Sequence, residues 1–141
     1  MARSASGPLW ADGEAYEQYV GRWSRVVARE FVAWLGAPAG GRWLDVGCGT
    51  DVLAGVIVDA ASPLNVLGID RSTAFIAHAR GRLPGPRWNF AVGDAGALPV
   101  PSGAFDAAVS SLVLNFVPDP EAAVAEMARA VRPGGLVAAF V

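Results

Sequence analysis

At 141 residues and 53% apolar content, the chain is sized for one domain with a sizeable packed core. Its formal charge is −2 and its 11 basic residues are all Arg, so it lacks the basic excess that phosphate backbones attract, and no nucleic-acid partner is indicated. A single cysteine excludes an internal disulfide, one Cys with one His makes no metal-ligand cluster, and no apolar run reaches the roughly 20 residues of a membrane span.

Residues 1–11 are small, polar and punctuated by Gly7 and Pro8, which predicts a flexible leader ahead of a domain over residues 12–141. The leader has no apolar signal core, so the expected setting is cytoplasmic. From Asp12 to Leu35 the apolar spacing is helical, with Gly21 as an interruption, and Tyr16, Tyr19 and Trp23 fit one face laid against a sheet. Gly36 to Gly41 break that helix.

Arg42 to Val46 reads as a short buried strand that runs into Gly47-Cys48-Gly49-Thr50-Asp51 and then into a helical pattern over residues 51–60. Strand, tight turn and helix in that order make a nucleotide-binding geometry. Gly47 and Gly49 have no Cβ, so the turn can take positive φ and let a ligand lie on bare backbone at a helix N-terminus. Asp45 sits at the carboxyl end of the strand, where open α/β sheets bind ligands. The dinucleotide fingerprint requires a third glycine at position 52, which is Val52, and a nicotinamide-dependent oxidoreductase is disfavoured for that reason. Cys48 reads as a small residue filling the turn, because a catalytic thiol there has no evident His partner. Asp51 is placed to cap the helix.

Pro63 to Asp70 forms a second buried strand ending in an acid, 21 residues after Gly49. Such an acid can accept hydrogen bonds from ribose hydroxyls or cap the helix that follows. That helix, Thr73 to Arg82, carries Phe75 at core spacing, and His78 among Ala and Arg residues is expected to be solvated. Trp88 to Val92 alternates as a third strand and ends at Gly93-Asp94-Ala95; after the Leu98 to Gly103 loop, Phe105 to Ser110 makes a fourth. Asp119 and Pro120 open a further helix as N-cap and first residue. Arg132-Pro133-Gly134-Gly135 then breaks the chain before a fifth strand, Leu136 to Val141.

Asp45-x-Gly47-x-Gly49, followed by Asp70-Arg71-Ser72, Gly93-Asp94-Ala95 and Phe105-Asp106, resembles the class I S-adenosylmethionine-dependent methyltransferases, in particular the type 11 group that acts on small molecules. The resemblance implies an α/β, Rossmann-like doubly wound parallel sheet of order 3-2-1-4-5 behind an N-terminal helix, with the cofactor at the switch point between strands 1 and 4. It implies that Asp45, Gly47, Cys48 and Gly49 shape the methionine end of the site and that Asp70 and Arg71 lie at the ribose. Phe75 would pack on the adenine, unless it is simply a core residue, and Asp94 with Ala95 would meet the adenine amino group. Ser110 and Leu112 would lie near the methionine amino group and sulfonium, and Asn115 and Phe116 near an acceptor. Tyr16, Tyr19 and Arg22 would fold over the cofactor, Arg22 pairing with its carboxylate.

The implied activity is methyl transfer from S-adenosylmethionine to a small-molecule acceptor, with S-adenosylhomocysteine as product; no residue stands out as a general base. Asp51 stands where that family usually has a third glycine, and a carboxylate there narrows the space beside the cofactor. The family fold has seven strands and the pattern here ends after the fifth, so a C-terminally incomplete domain is expected. Residues 136–141 would be an open sheet edge, and pairing of that edge or exchange of an element predicts a homodimer. The alternative reading is a shortened, non-catalytic protein of the same fold that oligomerises and binds the cofactor weakly or not at all.

Overall fold

A computed structural model describes residues 22–49 and 51–141. In chain order they form α1 (Arg22–Leu35), β1 (Arg42–Val46), α2 (Val52–Ala61), β2 (Asn65–Asp70), α3 (Thr73–Arg82), β3 (Trp88–Val92), β4 (Phe105–Ser111), α4 (Pro120–Ala130) and β5 (Val131–Phe140). The five strands make one parallel sheet of order β3-β2-β1-β4-β5, the order that the family resemblance implies.

Because helices cover both faces of the sheet, its central strands are buried on both sides and read as continuous apolar runs. Trp43 joins the core under α1 and α2, with Ala28, Phe31, Leu53 and Ile57, while Leu44 and Val46 join the core under α4, with Met127 and Ala130. Phe31 also meets Phe140 edge-to-face at 4.9 Å between ring centroids, tying α1 to β5. Asp119 caps its helix as the sequence predicts, whereas α3 is capped by Ser72 and not by Asp70. Ser72 Oγ accepts from Phe75 N at 3.2 Å to start α3, and an Asp119 carboxylate oxygen accepts from Ala122 N at 3.0 Å ahead of Pro120 in α4.

Two expectations are corrected. Trp23 does not pack on the sheet: it is 75% exposed, and α1 buries Ala28, Phe31 and Val32 instead. The helix carries apolar residues on two stripes, and a 3.6-residue period alone does not choose between them. The fifth strand begins at Val131, with no break before it. Arg132 to Gly135 lie within it, opposite a register shift in which Phe105 pairs Val131 and Ala107 pairs Leu136. A side chain at Gly135 would strike Val131 and come within 2.7 Å of the Asp106 carbonyl, so the glycine lets the strand bulge here without a clash.

Candidate functional site

The carboxyl ends of β1 to β4 open on one cleft of about 340 Å³. The turn after β1 is held by its own backbone: Gly47 N and Cys48 N both donate to the Ile69 carbonyl at the end of β2, at 2.7 and 3.0 Å. Gly47 has φ 72°, and a Cβ there would lie 2.5 Å from Val113 Cγ2, so both conformation and packing demand glycine. Gly49 has φ 56° and nothing within 4 Å of its would-be Cβ, which leaves bare backbone facing the cleft.

Asp70 joins the first two turns. Its Oδ2 accepts from Gly49 N at 3.0 Å and its Oδ1 from Ser72 N at 2.8 Å. Ser72, not Asp70, caps α3, and each carboxylate oxygen keeps a lone pair for a further donor on the cleft side. Arg71 is exposed at the rim, and Phe75, only 8% exposed, belongs to the apolar interior while also lining the cleft. After β3, Asp94 folds a tight turn in which its Oδ1 accepts from Gly96 N at 2.8 Å, and Asp94 and Ala95 form the next part of the wall. Beyond β4, Leu112 takes a left-handed φ of 56°, anchored by its N–H donating to the Phe140 carbonyl at 2.9 Å.

The cleft therefore brings together Gly47, Cys48, Gly49, Asp70, Arg71, Phe75, Asp94, Ala95 and Leu112. Asp45 and Ser110 lie behind its wall, both fully buried. Ser110 Oγ donates to the Val46 carbonyl at 2.9 Å, fixing the last residue of β1 before the turn. Tyr16 and Tyr19 fall outside the described residues, and Arg22 enters only as the first residue of α1. Asn115 is exposed and off the wall, whereas Phe116 is on it. Ser24 and Ala28 of α1, together with Val117 and Pro118, complete the wall on the α1 side. Helical periodicity could identify α1 but not that its Ser24 and Ala28 line the cleft.

Electrostatics removes two candidate reagents. Asp45 has neither carboxylate oxygen hydrogen-bonded; burial, then the nearby Asp70 and Asp51 carboxylates, push its pKa up to about 8. At neutral pH it carries its proton and is no anionic base. Burial and the same three carboxylates raise the Cys48 thiol well above its ordinary range, so it is no thiolate nucleophile. His78 is half-buried, not solvated.

The capping role expected of Asp51 is also corrected. Asp51 stands at the N-cap position of α2, but its backbone is left-handed (φ 84°) and its side chain makes no capping bond. A capping side chain needs an extended backbone to reach back to the first amides, and φ 84° turns it elsewhere. The carboxylate is instead buried, with Oδ2 3.8 Å from Arg82 Nε. Asp51 is not among the residues that line the cleft.

The family model for the methyltransferase domain matches residues 44–139. The chain belongs to the methyltransferase-domain family. It is 39% identical over 114 residues to the demethylmenaquinone methyltransferase of Renibacterium salmoninarum, an alignment covering 81% of this chain and 45% of that protein. Among solved structures, the cyclase SpnF superposes with a TM-score of 0.70 at 35% identity, covering 81% of this chain and 44% of that one. An S-adenosylmethionine-dependent methyltransferase from Mesorhizobium loti superposes with a TM-score of 0.67 at 29% identity, covering 82% and 52%. The chain spans 30% to 50% of the length of its similar curated proteins. Among the described residues no helix is long and apolar enough to cross a membrane, and no group of three potential ligands could hold a metal ion.

Proposed function

We propose that this domain binds S-adenosylmethionine in the cleft and serves methyl transfer to a small, uncharged acceptor. The observation that carries the reading is the convergence of three successive strand ends, Gly47 to Gly49, Asp70 and Asp94, on one cavity in a methyltransferase-family fold. The donor and acceptor pattern suits an adenosine-bearing ligand. Bare backbone at Gly49 admits close approach, Asp70 has lone pairs for ribose hydroxyls, and Asp94 is an exposed acceptor for an exocyclic amine. Phe75 offers a ring for the base, and Arg71 sits beside the ribose acid at the rim. Gly47, Cys48 and Leu112 would face the methionine portion, with Tyr16, Tyr19 and Arg22 as its cover; Asp45 and Ser110 support the turn from behind.

The cofactor supplies an already activated methyl group, and the protein's part is alignment and exclusion of water. On the acceptor side, the described wall consists of Ala28, Leu112, Val113, Phe116, Val117 and Pro118 with the hydroxyls of Ser24 and Ser111, and no charged side chain is among them. That lining favours a neutral, apolar acceptor over an ionic one.

Calorimetric titration with S-adenosylmethionine and S-adenosylhomocysteine tests the reading. Saturable micromolar binding is expected, weakened at least tenfold in Asp70→Ala, because the substitution removes the ribose acceptors and leaves Gly49 N and Ser72 N without their carboxylate. No binding of either ligand up to millimolar concentration would overturn it.

We also propose that two copies associate through β5. Its ten residues pair only with β4 among the described strands, so among the described residues β5 is an edge strand whose outer backbone groups suit pairing with another chain. Light scattering at micromolar concentration should give twice the chain mass, and a clean monomer would sink the idea.

A further inference from the structure

The described part of the molecule offers a second cavity at the opposite end of the sheet, an exposed apolar stripe on α1, and two polar clusters away from the cleft, around Asp106 and around Arg129, of which the second is the denser. The denser cluster carries the inference. Arg129, near the end of α4, forms a forked pair with Glu126 (Nε to Oε1 and Nη2 to Oε2, both 2.8 Å). The same guanidinium donates to the Leu98 carbonyl at 3.1 Å and to the Val100 carbonyl at 2.9 Å. Glu126 Oε2 in turn accepts from Leu98 N at 2.8 Å. The two carbonyls held by Arg129 flank Pro99, and Pro99 packs against the last turn of the cleft wall. A Cβ built on Gly93 would lie 2.9 Å from Pro99 Cδ. Gly93 is the residue before Asp94, which with Ala95 lines the cleft.

We propose that the Arg129–Glu126 pair is a positioning device for the base-recognition end of the site, acting through Pro99 on Gly93 and Asp94. The proposal rests on the cofactor reading above. Its logic is geometric. Asp94 is exposed, and its turn is held by short-range bonds within residues 94–97 and by Gly93 N donating to the Asp70 carbonyl at 3.0 Å. Those bonds shape the turn but set only one of its sides relative to the sheet. The Pro99 ring supplies the other side, and a proline has no N–H with which to anchor itself. Its place is set by its neighbours: Leu98 is buried in the core, Val100 N donates to the Leu98 carbonyl at 2.8 Å, and Arg129 clamps both flanking carbonyls to α4. A planar, five-donor guanidinium can hold two carbonyls and a carboxylate together, which a lysine ammonium does poorly.

The test compares Arg129→Met, which keeps the reach of the side chain, and Pro99→Ala, which leaves the ion pair intact. Each is titrated with S-adenosylhomocysteine and with its inosine analogue, in which the exocyclic amine becomes a carbonyl; thermal melting and amide hydrogen exchange at Gly96 and Ala97 are followed in parallel. In both variants the preference for adenine over hypoxanthine is expected to fall at least fivefold, with exchange at Gly96 and Ala97 accelerated and cooperative melting retained. An unchanged preference and unchanged exchange, or a loss of affinity equal for the two ligands that tracks melting temperature, would overturn the proposal. If the parent protein binds neither ligand, the cofactor reading fails while exchange at Gly96 and Ala97 still decides the mechanical claim. Should Arg129→Met fail to fold, Pro99→Ala alone decides it by the same readouts.

Discussion

Replacing Asp45 by Asn is expected to stabilise the fold at pH 8 by about 2–4 kcal/mol and to erase most of a loss of stability between roughly pH 4 and pH 8. The sign follows from the two states. In the unfolded chain the carboxyl loses its proton near 3.8, whereas in the fold it holds it to about 8. Below pH 4 both states are protonated and the group costs nothing. As pH rises, the unfolded state ionises and gains relative to the fold by about 1.36 kcal/mol per pH unit, until the folded group also ionises. The full gap is worth at most about 6 kcal/mol, and an asparagine amide buried without partners returns about 1–3 kcal/mol of that. Urea denaturation of both proteins at pH 5 and pH 8 measures the effect. A parent whose stability changes between the two pH values no more than that of Asp45→Asn would show that the side chain is not the buried, partnerless acid its surroundings indicate. The consequence for the cleft is direct: Asp45 is buried with its proton, and Asp70 and Asp94 are the carboxylates on the cleft wall.

The sheet was legible because its strands are buried on both faces, so the apolar runs at Trp43 to Val46, Val66 to Ile69 and Ala107 to Val109 stood out from the polar loops between them. The strand ends were legible for the same reason, since an acid or glycine closing a buried run marks where the chain turns. Depth was not legible. Asp45 and Asp70 each close a strand, yet Asp45 is sealed at 0% exposure while Asp70 reaches the cleft. The difference follows position in the strand: Asp45 precedes Val46, the last residue of β1, whereas Asp70 is itself the last residue of β2. The Asp119 cap of α4 could be read because a cap is local; at α3 the sequence offers Asp70, and Ser72, two residues on, takes the role. The left-handed backbone of Leu112 and the continuous start of β5 could not be read, since Phe140 holds the first and the register beside β4 sets the second. Arg129 was invisible for a related reason: all the groups it organises, except Glu126, are 27 to 31 residues away.

Asp51→Gly is expected to raise stability by about 1–2 kcal/mol, or about 3–6 °C in melting temperature for a domain of this size. Three contributions favour the change. At φ 84° a residue with a Cβ bears roughly 1 kcal/mol of strain that glycine does not, although Asp tolerates this region better than most. The substitution removes a carboxylate that is only 3% exposed, and the contact of that carboxylate with Arg82 Nε, at 3.8 Å, lies beside solvent on the arginine side, where the side chain is 40% exposed. It also removes one of the two charges that oppose ionisation of Asp45. Against these stands the larger conformational entropy of glycine in the unfolded chain, about 0.5–1 kcal/mol. Arg82 remains partly solvated and does not become a buried orphan. Because Asp51 is not among the residues lining the cleft, affinity for S-adenosylhomocysteine is expected to stay within about twofold, on the scale where surface charge effects operate. A melting temperature that falls would return Asp51 to a supporting role at the start of α2, and a large gain in affinity would mean that its carboxylate intrudes on the ligand. The expected pairing of higher stability with unchanged affinity identifies position 51 as a site where the backbone asks for glycine and the chain carries an acid at a net cost.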